Sequence, residues 1–551
     1  MREQARTRRT IDFITTHREE SGAALIITLL VTMIVFALGS ALATAMLAEI
    51  TTSANYRNRG AALWQADSGL ERVAADLLAD PTWARGMVDF STIPMTIVSG
   101  FPTSTTINGM TVNFQVSGGL VVPQFYDLGP TVNLDDGSFN RRIFMPPTSI
   151  TPANGPGTKA WLVVPVGGRG TSGVVEPSNA EVRTDMRVIV RRLTVWDNAI
   201  FGGSNQVGNQ INGNIQVRGS MHIKGAPGKT VDMGGTAFVL NHYRDADQND
   251  NFDVDWVKLP PVPMVNYGGE VVQSLGAELR VEQGDVSLSG SVVWGEQDVT
   301  GNNFMEEVDG VYSDAPIALS GSAEVNPVDE GGYDATGMPF PTLADPYYHA
   351  PTATNYATHR LFLDTNSLTI VESNISVDTP SFNHSNAFGS IDWNQGTNTM
   401  TISGIVRVNG NLDLAKKNDP IQYDGTGTLF AVGDVAIHDD VLPQDNYLQT
   451  GTMTYDNLGI IADNDVNIAT GGGETFVKVM AALYAQNETT IRKQSRIAGA
   501  IVTRFFDMGN NVPRIFQAAN LSANLPPGMP GGDPMLFVTG ADVTNWYQVR
   551  Q

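Results

Sequence analysis

The chain has 551 residues, a formal net charge of −23 and a charged fraction of 17%, below the roughly 25% of an average soluble protein. Its 57 acidic against 34 basic residues argue against a nucleic-acid partner, because phosphate backbones select clustered Lys and Arg. The absence of Cys excludes disulfides, thiolate metal sites and Cys nucleophiles.

Arg2, Arg6, Arg8, Arg9 and Arg18 precede a run from Ala23 to Ala48 that holds 26 residues and no charge. As a helix that run is ~39 Å long, enough for a hydrocarbon core of ~30 Å. Leu25, Ile26, Leu29, Leu30, Ile34, Phe36 and Leu38 supply its bulk. The arginines lie before the span and Glu49 after it, so the positive-inside rule puts the N-terminus in the cytoplasm and the rest outside. This predicts a single-pass membrane protein whose C-terminal part lies outside the cytoplasm. Three readings of the span compete. It is a plain anchor, a secretory signal cut at Ala43-Thr44-Ala45, or a leader ending at Gly22 with a retained helix opening at Ala23. The run is longer than the usual h-region of about 7–15 residues, which weakens the second. Leu63, Ala66, Leu70, Val73 and Leu77 then recur at helical spacing, with Arg57, Arg59, Asp67, Glu71 and Arg72 mostly off that stripe and Pro81 beyond it. One helix over 23–80 is expected, apolar all round at first and amphipathic later.

The order of these features resembles the N-terminal region of PilX-type minor pilins of type IV pili. The matching residues are Glu20-Ser21-Gly22-Ala23-Ala24-Leu25-Ile26, then Asn55-Tyr56-Arg57-Asn58-Arg59, then Ala62 and Ala66-Asp67-Ser68-Gly69-Leu70-Glu71. The likeness implies cleavage between Gly22 and Ala23 by a prepilin peptidase, packing of the helix among other pilins or pseudopilins, and dependence on the pilus assembly machinery. Major pilins carry Glu five residues after the cut, where this chain has Ile27. That departure implies a minor subunit, which primes, caps or decorates a filament and displays an adhesive surface, with a surface glycan as a candidate ligand.

Beyond residue 87 the pattern is short alternating runs broken by Gly, Asn and Asp, which predicts strands and turns. Trp161 to Val166 and Val182 to Val195 are two such strands. Gly168-Arg169-Gly170-Thr171-Ser172-Gly173 lies between them, a formal G-x-G-x-x-G with no helix after it. A dinucleotide site needs that helix, so the segment is expected to be a flexible loop. A turn–strand theme follows, in which Gly or Asn precedes two apolar residues at i and i+2. It occurs at Gly219–Ile223, Gly284–Leu288, Asn366–Ile370, Asn398–Ile402, Gly410–Leu414, Gly433–Ile437 and Asn464–Ile468, and more weakly at Asn487–Ile491. The central positions 412, 435, 466 and 489 are 23, 31 and 23 residues apart, a solenoid spacing. The expected fold is mainly β with one long N-terminal α-helix and a right-handed parallel β-helix; the alternative is an irregular antiparallel β-sandwich. The expected division is a leader over 1–22, the helix over 23–80, a β-rich region over 87–200, the solenoid over 201–510, and a C-terminal loop with a closing strand over 511–551.

Asp245, Asp247, Asn249 and Asp253 occupy positions 1, 3, 5 and 9 of an acidic loop, the arrangement of oxygen ligands suited to Ca²⁺. Asp250 stands where Gly is usual and Trp256 where a bidentate Glu is usual. The seven His residues lie in no H-E-x-x-H, and there is no G-x-S-x-G or P-loop, so no catalytic residues are assigned. The runner-up function is a membrane-anchored β-helix enzyme acting on polysaccharide, with Asp413 or Asp439 near Lys416, Lys417 or Arg407.

Overall fold

The apolar run and the amphipathic stripe form one continuous helix, α1 (Glu3–Ala79), in a computed structural model of the chain. The structure describes residues 3–80, 83–84, 87–89, 95–98, 102–135, 137–152, 159–173, 178–203, 211–226, 229–243, 259–267, 269–299, 301–328, 330–331, 338–352, 354–444, 456–474, 476–509, 512–519, 521–532 and 535–549. For 3–21, 89, 152, 159, 191–192, 212–213, 229–230, 331, 350 and 535–549 it describes the backbone alone.

The last turns of α1 lie on an antiparallel sheet. Five of its seven strands form the main path, β1 (Gln124–Asp127), β2 (Gly137–Met145), β3 (Lys159–Ser172), β4 (Ser178–Leu193) and β5 (Met535–Val549), with Val132–Leu134 paired to β2 and Ser149–Pro152 to β3. They are ordered β5-β4-β3-β2-β1. Period-2 alternation puts Val182, Thr184, Met186, Val188 and Val190 of β4 on the buried face, as expected for a sheet with one covered face. They share a core with Ala62, Ala66, Leu70, Val73 and Leu77 of α1.

The glycines of the G-x-G-x-x-G segment have a different role from the one expected. They are not a flexible loop: β3 runs through Gly168 and Gly170 and ends at Ser172, and α1 crosses directly over them. A Cβ on Gly168 would lie 1.7 Å from the carbonyl oxygen of Ala66, and one on Gly170 would lie 2.1 Å from that of Ala62. Only hydrogen fits between helix and strand at these points.

The theme strands build a parallel β-helix, as expected for the fold class. One face runs rung by rung through 368–370, 404–408, 426–431, 457–462, 482–485 and 499–503, then 200–202, 221–223, 278–281, 310–313 and 330–331, every pair parallel. Leu412, Val435, Val466 and Thr489 stack in register on a second face. On the turn before them, Asn411, Asp434 and Asp465 each accept, through a side-chain oxygen, the backbone N–H of the next rung (Asp434, Asp465 and Glu488) at 3.0, 3.4 and 3.1 Å. The inward apolar side chains of all rungs join in one core.

Spatial order differs from chain order. The chain enters the solenoid in its middle, at 200–202, and winds to one end at 331. It restarts at the far end, at 368–370, and winds back until Ile501 pairs with Ile200. The third face at the far end is closed by the antiparallel hairpin of Phe382–Ser385 and Gly389–Asn394, which covers an edge that would otherwise be open to pairing. The return path, 338–366, straps the outside of the first face. Phe340 stacks on Phe201 and Tyr484 with centroids 6.5 and 5.9 Å apart, and the Tyr484 hydroxyl donates to the Pro341 carbonyl at 2.7 Å. The outward positions Phe201, Phe430, Ile461, Ala482, Tyr484, Ala500 and Val502 are therefore buried, as is His222, where the theme called for a solvent-facing polar residue.

Replacing Gly168 by Ala should force α1 off β3, because the obstructing atoms belong to the backbone. A loss of about 2 kcal/mol or more is expected, at the upper part of the range for overpacked cores, read as a lowered midpoint in chemical denaturation of the detergent-solubilised chain.

Candidate functional site

The feature that sets this chain apart from an ordinary globular protein is the surface of α1. From Gly22 to Gly60 every described side chain is exposed except the half-buried Ala54 and Asn58. Leu25 is 68% and Phe36 78% exposed, and Ile26, Leu29, Leu30, Ile34 and Leu38 are bare beside them. Gly22–Ala79 is long and apolar enough to cross a membrane. Water is a poor solvent for such a surface. The four hydroxyls of the run are already satisfied within the helix. Thr28 and Thr32 donate to the carbonyls of Ala24 and Thr28 at 2.6 and 2.7 Å, and Ser40 and Thr44 to those of Ala37 and Ser40 at 2.9 and 2.5 Å. Internal satisfaction is the condition a spanning helix must meet, since the hydrocarbon core supplies no hydrogen-bond partner. Ile27 is 61% exposed on this surface. Gly22 and Ala23 lie within continuous helix, and an added Cβ on Gly22 would meet nothing within 4 Å.

The helix is held below this surface by small residues and one buried ion pair. Asp76 is 1% exposed. It accepts from Arg141 Nη1 of β2 at 2.8 Å and from Asn108 Nδ2 at 3.0 Å. Leaving either buried charge unpaired would cost about 3–5 kcal/mol. Nothing in the helical periodicity singled out Asp76; its position on the buried stripe between Val73 and Leu77 was the available signal.

The other sequence-predicted residues fall as follows. Asp245, Asp247, Asn249 and Asp253 lie outside the described residues. Of the carboxylates and cations named for polysaccharide cleavage, Asp413, Asp439, Arg407 and Lys416 are engaged separately. Arg407 pairs with Asp364 at 3.0 Å, Lys416 with Asp378 at 2.7 Å and Asp413 with His438 at 3.2 Å, while Asp439 accepts the backbone N–H of Asn418. Tyr347 packs on His359 and Phe362, with centroids 4.2 and 4.4 Å away, while Tyr348 stays half-exposed.

One cluster had no sequence signal, because its members are scattered. His242 follows the rung strand at Phe238–Leu240, Glu296 and Glu306 both lie in the connection between Val293–Trp294 and Gly310–Ser313, and one donor atom of each lies within 4.8 Å of the others. Val239 and Trp294, on adjacent rungs, are paired, which brings the segments after them, with His242 and Glu296, side by side. Glu296 and Glu306 are joined by the backbone bond from Glu296 N to Glu306 O at 3.1 Å. His242 Nε2 is 3.0 Å from Glu306 Oε2, and Asn302 Nδ2 donates to Glu306 Oε1 at 2.6 Å. Burial, then the neighbouring Glu306, push the Glu296 carboxyl up to about 7.

No protein-family model and no curated protein matches the chain. Among solved structures, it is similar to the crystal structure of the competence-associated pilin ComZ from Thermus thermophilus, with a TM-score of 0.46 and 18% identity over 90% of this chain and 98% of that one.

On the outer face of the second ladder, His438 Nδ1 lies 2.7 Å from Glu474 Oε1 and Nε2 lies 3.2 Å from Asp413 Oδ1. Burial alone would lower the imidazole, but the hydrogen bonds to Glu474 and Asp413 outweigh it and the net shift is upward. A raised folded-state value means the charged ring stabilises the fold fully below its unfolded value of about 6.5, and that this stabilisation fades as pH rises through the folded value. His438→Gln should therefore lower the unfolding temperature more at pH 6 than at pH 9, as read by thermal melts at constant ionic strength.

Proposed function

We propose that this chain is a minor pilin-like subunit. It is held in the inner membrane by α1, it joins or primes a type IV pilus or a related filament by exchanging lipid for the helices of other subunits, and it carries its solenoid outward. The observation that carries this reading is the division of one unbroken helix into two environments. Residues 23–48 offer an apolar surface without intramolecular cover, and residues 62–77 press the stripe of Ala62, Ala66, Leu70, Val73 and Leu77 onto a sheet. An ordinary cleaved signal needs no such continuation, and a plain anchor needs no rigid seat. A helix that must present its apolar half to neighbours at a set angle needs both.

Ile27 supports a minor role. In the resemblance to PilX-type subunits it stands where a major pilin's carboxylate would neutralise a neighbour's N-terminal amine, and an uncompensated charge in an apolar bundle is costly. The solenoid, stiffened by its stacked rungs, serves as the displayed part, with a surface glycan as candidate ligand and the acidic stretch from Asp245 to Asp253 as a candidate Ca²⁺ loop.

The reading is tested by the mass and sequence of the mature N-terminus from membranes with and without the prepilin peptidase. A start at N-methylated Ala23, lost without the peptidase, is expected. A start at Met46, or an uncut chain in both membranes, would overturn it.

A further inference from the structure

We propose that His242, Glu296 and Glu306 bind one divalent transition-metal ion, with Zn²⁺ the best match, and that the ion staples neighbouring rungs of the solenoid. Three observations carry this. The first is the donor set. One imidazole and two carboxylates converge with their donor atoms within 4.8 Å of one another. A nitrogen ligand beside carboxylates suits Zn²⁺ better than Ca²⁺ or Mg²⁺, which take oxygen alone. The separation is near what the ion demands: bonds of about 2.0–2.2 Å put tetrahedral donor atoms roughly 3.3–3.6 Å apart, and the His242 and Glu306 atoms are already at 3.0 Å.

The second is enclosure. His242 and Glu306 are each 1% exposed, and the Phe304 ring covers the imidazole with centroids 4.7 Å apart. Glu296 lies half-buried at the edge of this enclosure.

The third is orientation from outside the donor set. Asn302 Nδ2 holds one oxygen of Glu306 at 2.6 Å while the other faces His242. Its own Oδ1 accepts the Phe304 N–H at 3.2 Å, which fixes the amide and hence the carboxylate. Outer partners of this kind are the usual means of aiming a ligand at a metal. Three protein ligands leave the fourth position to water, and His242 lies on one rung while the two glutamates follow the next, so the ion ties the rungs together.

The test uses the untagged full chain in detergent, stripped with a chelator and titrated with Zn²⁺ alone, with calorimetry and thermal melts as readouts. One ion per chain and a rise in the unfolding temperature are expected. Glu306→Gln and His242→Gln, close in shape to the originals, should each weaken binding by about 100-fold, and Asn302→Ala, which keeps all three ligands, by about 10-fold. Should a ligand variant fail to fold, Asn302→Ala decides, since its loss of affinity is read on intact donors. A chain that takes up no Zn²⁺, or one whose uptake is unchanged in Glu306→Gln and in Asn302→Ala, overturns the proposal.

Discussion

Strands β4 and β5 pair antiparallel from Glu181↔Val549 to Leu193↔Met535, and this pairing constrains everything between them. The chain that leaves the sheet at Leu193 has to return to it at Met535, so the whole solenoid is a loop whose two stems touch. A solenoid that simply wound away would end far from its start. This one returns: the strap over 338–366 carries the chain to the far end, and the second set of rungs winds back until the last one lies on the first. Segments at the junction confirm the closure side chain by side chain. Trp196 Nε1 donates to the Pro530 carbonyl at 2.8 Å and Thr428 Oγ1 to that of Pro527 at 2.6 Å. The solenoid thus sits on two adjacent strands of the sheet that seats α1, and the parts form one mechanical unit.

That unit gives the helix its two environments. Ala62, Ala66 and Gly69 let α1 approach β2 and β3 to backbone distance, Gly168 and Gly170 make the matching groove, and the Asp76–Arg141 pair locks the register. Rigidity at the lower end matters only because the upper end is bare. A helix fixed at one end and apolar at the other can trade lipid for like helices while its own domain remains folded, since the exchange breaks no contact made by residues 62–77. The energetics favour transfer between apolar surroundings over exposure to water, whichever surroundings come first.

Much of this was legible in the residues. The uncharged run to Ala48, the stripe to Leu77 and the i, i+2 apolar pairs after Gly or Asn each map onto the element expected, because each is set by local periodicity. What escaped was set by distant partners. The glycines at 168 and 170 read as a loop because glycine is common in loops, while their reason is a helix a hundred residues earlier. Runs such as Leu429-Phe430-Ala431 and Ile460-Ile461-Ala462 did carry a signal: consecutive apolar residues mean a strand covered on both faces, here by the strap. The polar-out expectation failed at His222 for the same reason. The His242, Glu296 and Glu306 cluster had no signal, since only the stacking of rungs brings His242 to the two glutamates.

The central claim is that the exposed half of α1 is buried among other helices in a filament while the solenoid stays in water. The native chain has no Cys, so single-cysteine variants report directly. The most direct measurement compares Leu30→Cys, in the bare span, with Val371→Cys, on a solenoid surface 88% exposed, in filaments sheared from cells and treated with a membrane-impermeant maleimide. The account predicts that Val371→Cys reacts at once and that Leu30→Cys reacts only after the filaments are dissociated in detergent. Equal labelling of both in intact filaments, or absence of the chain from filaments altogether, would contradict it.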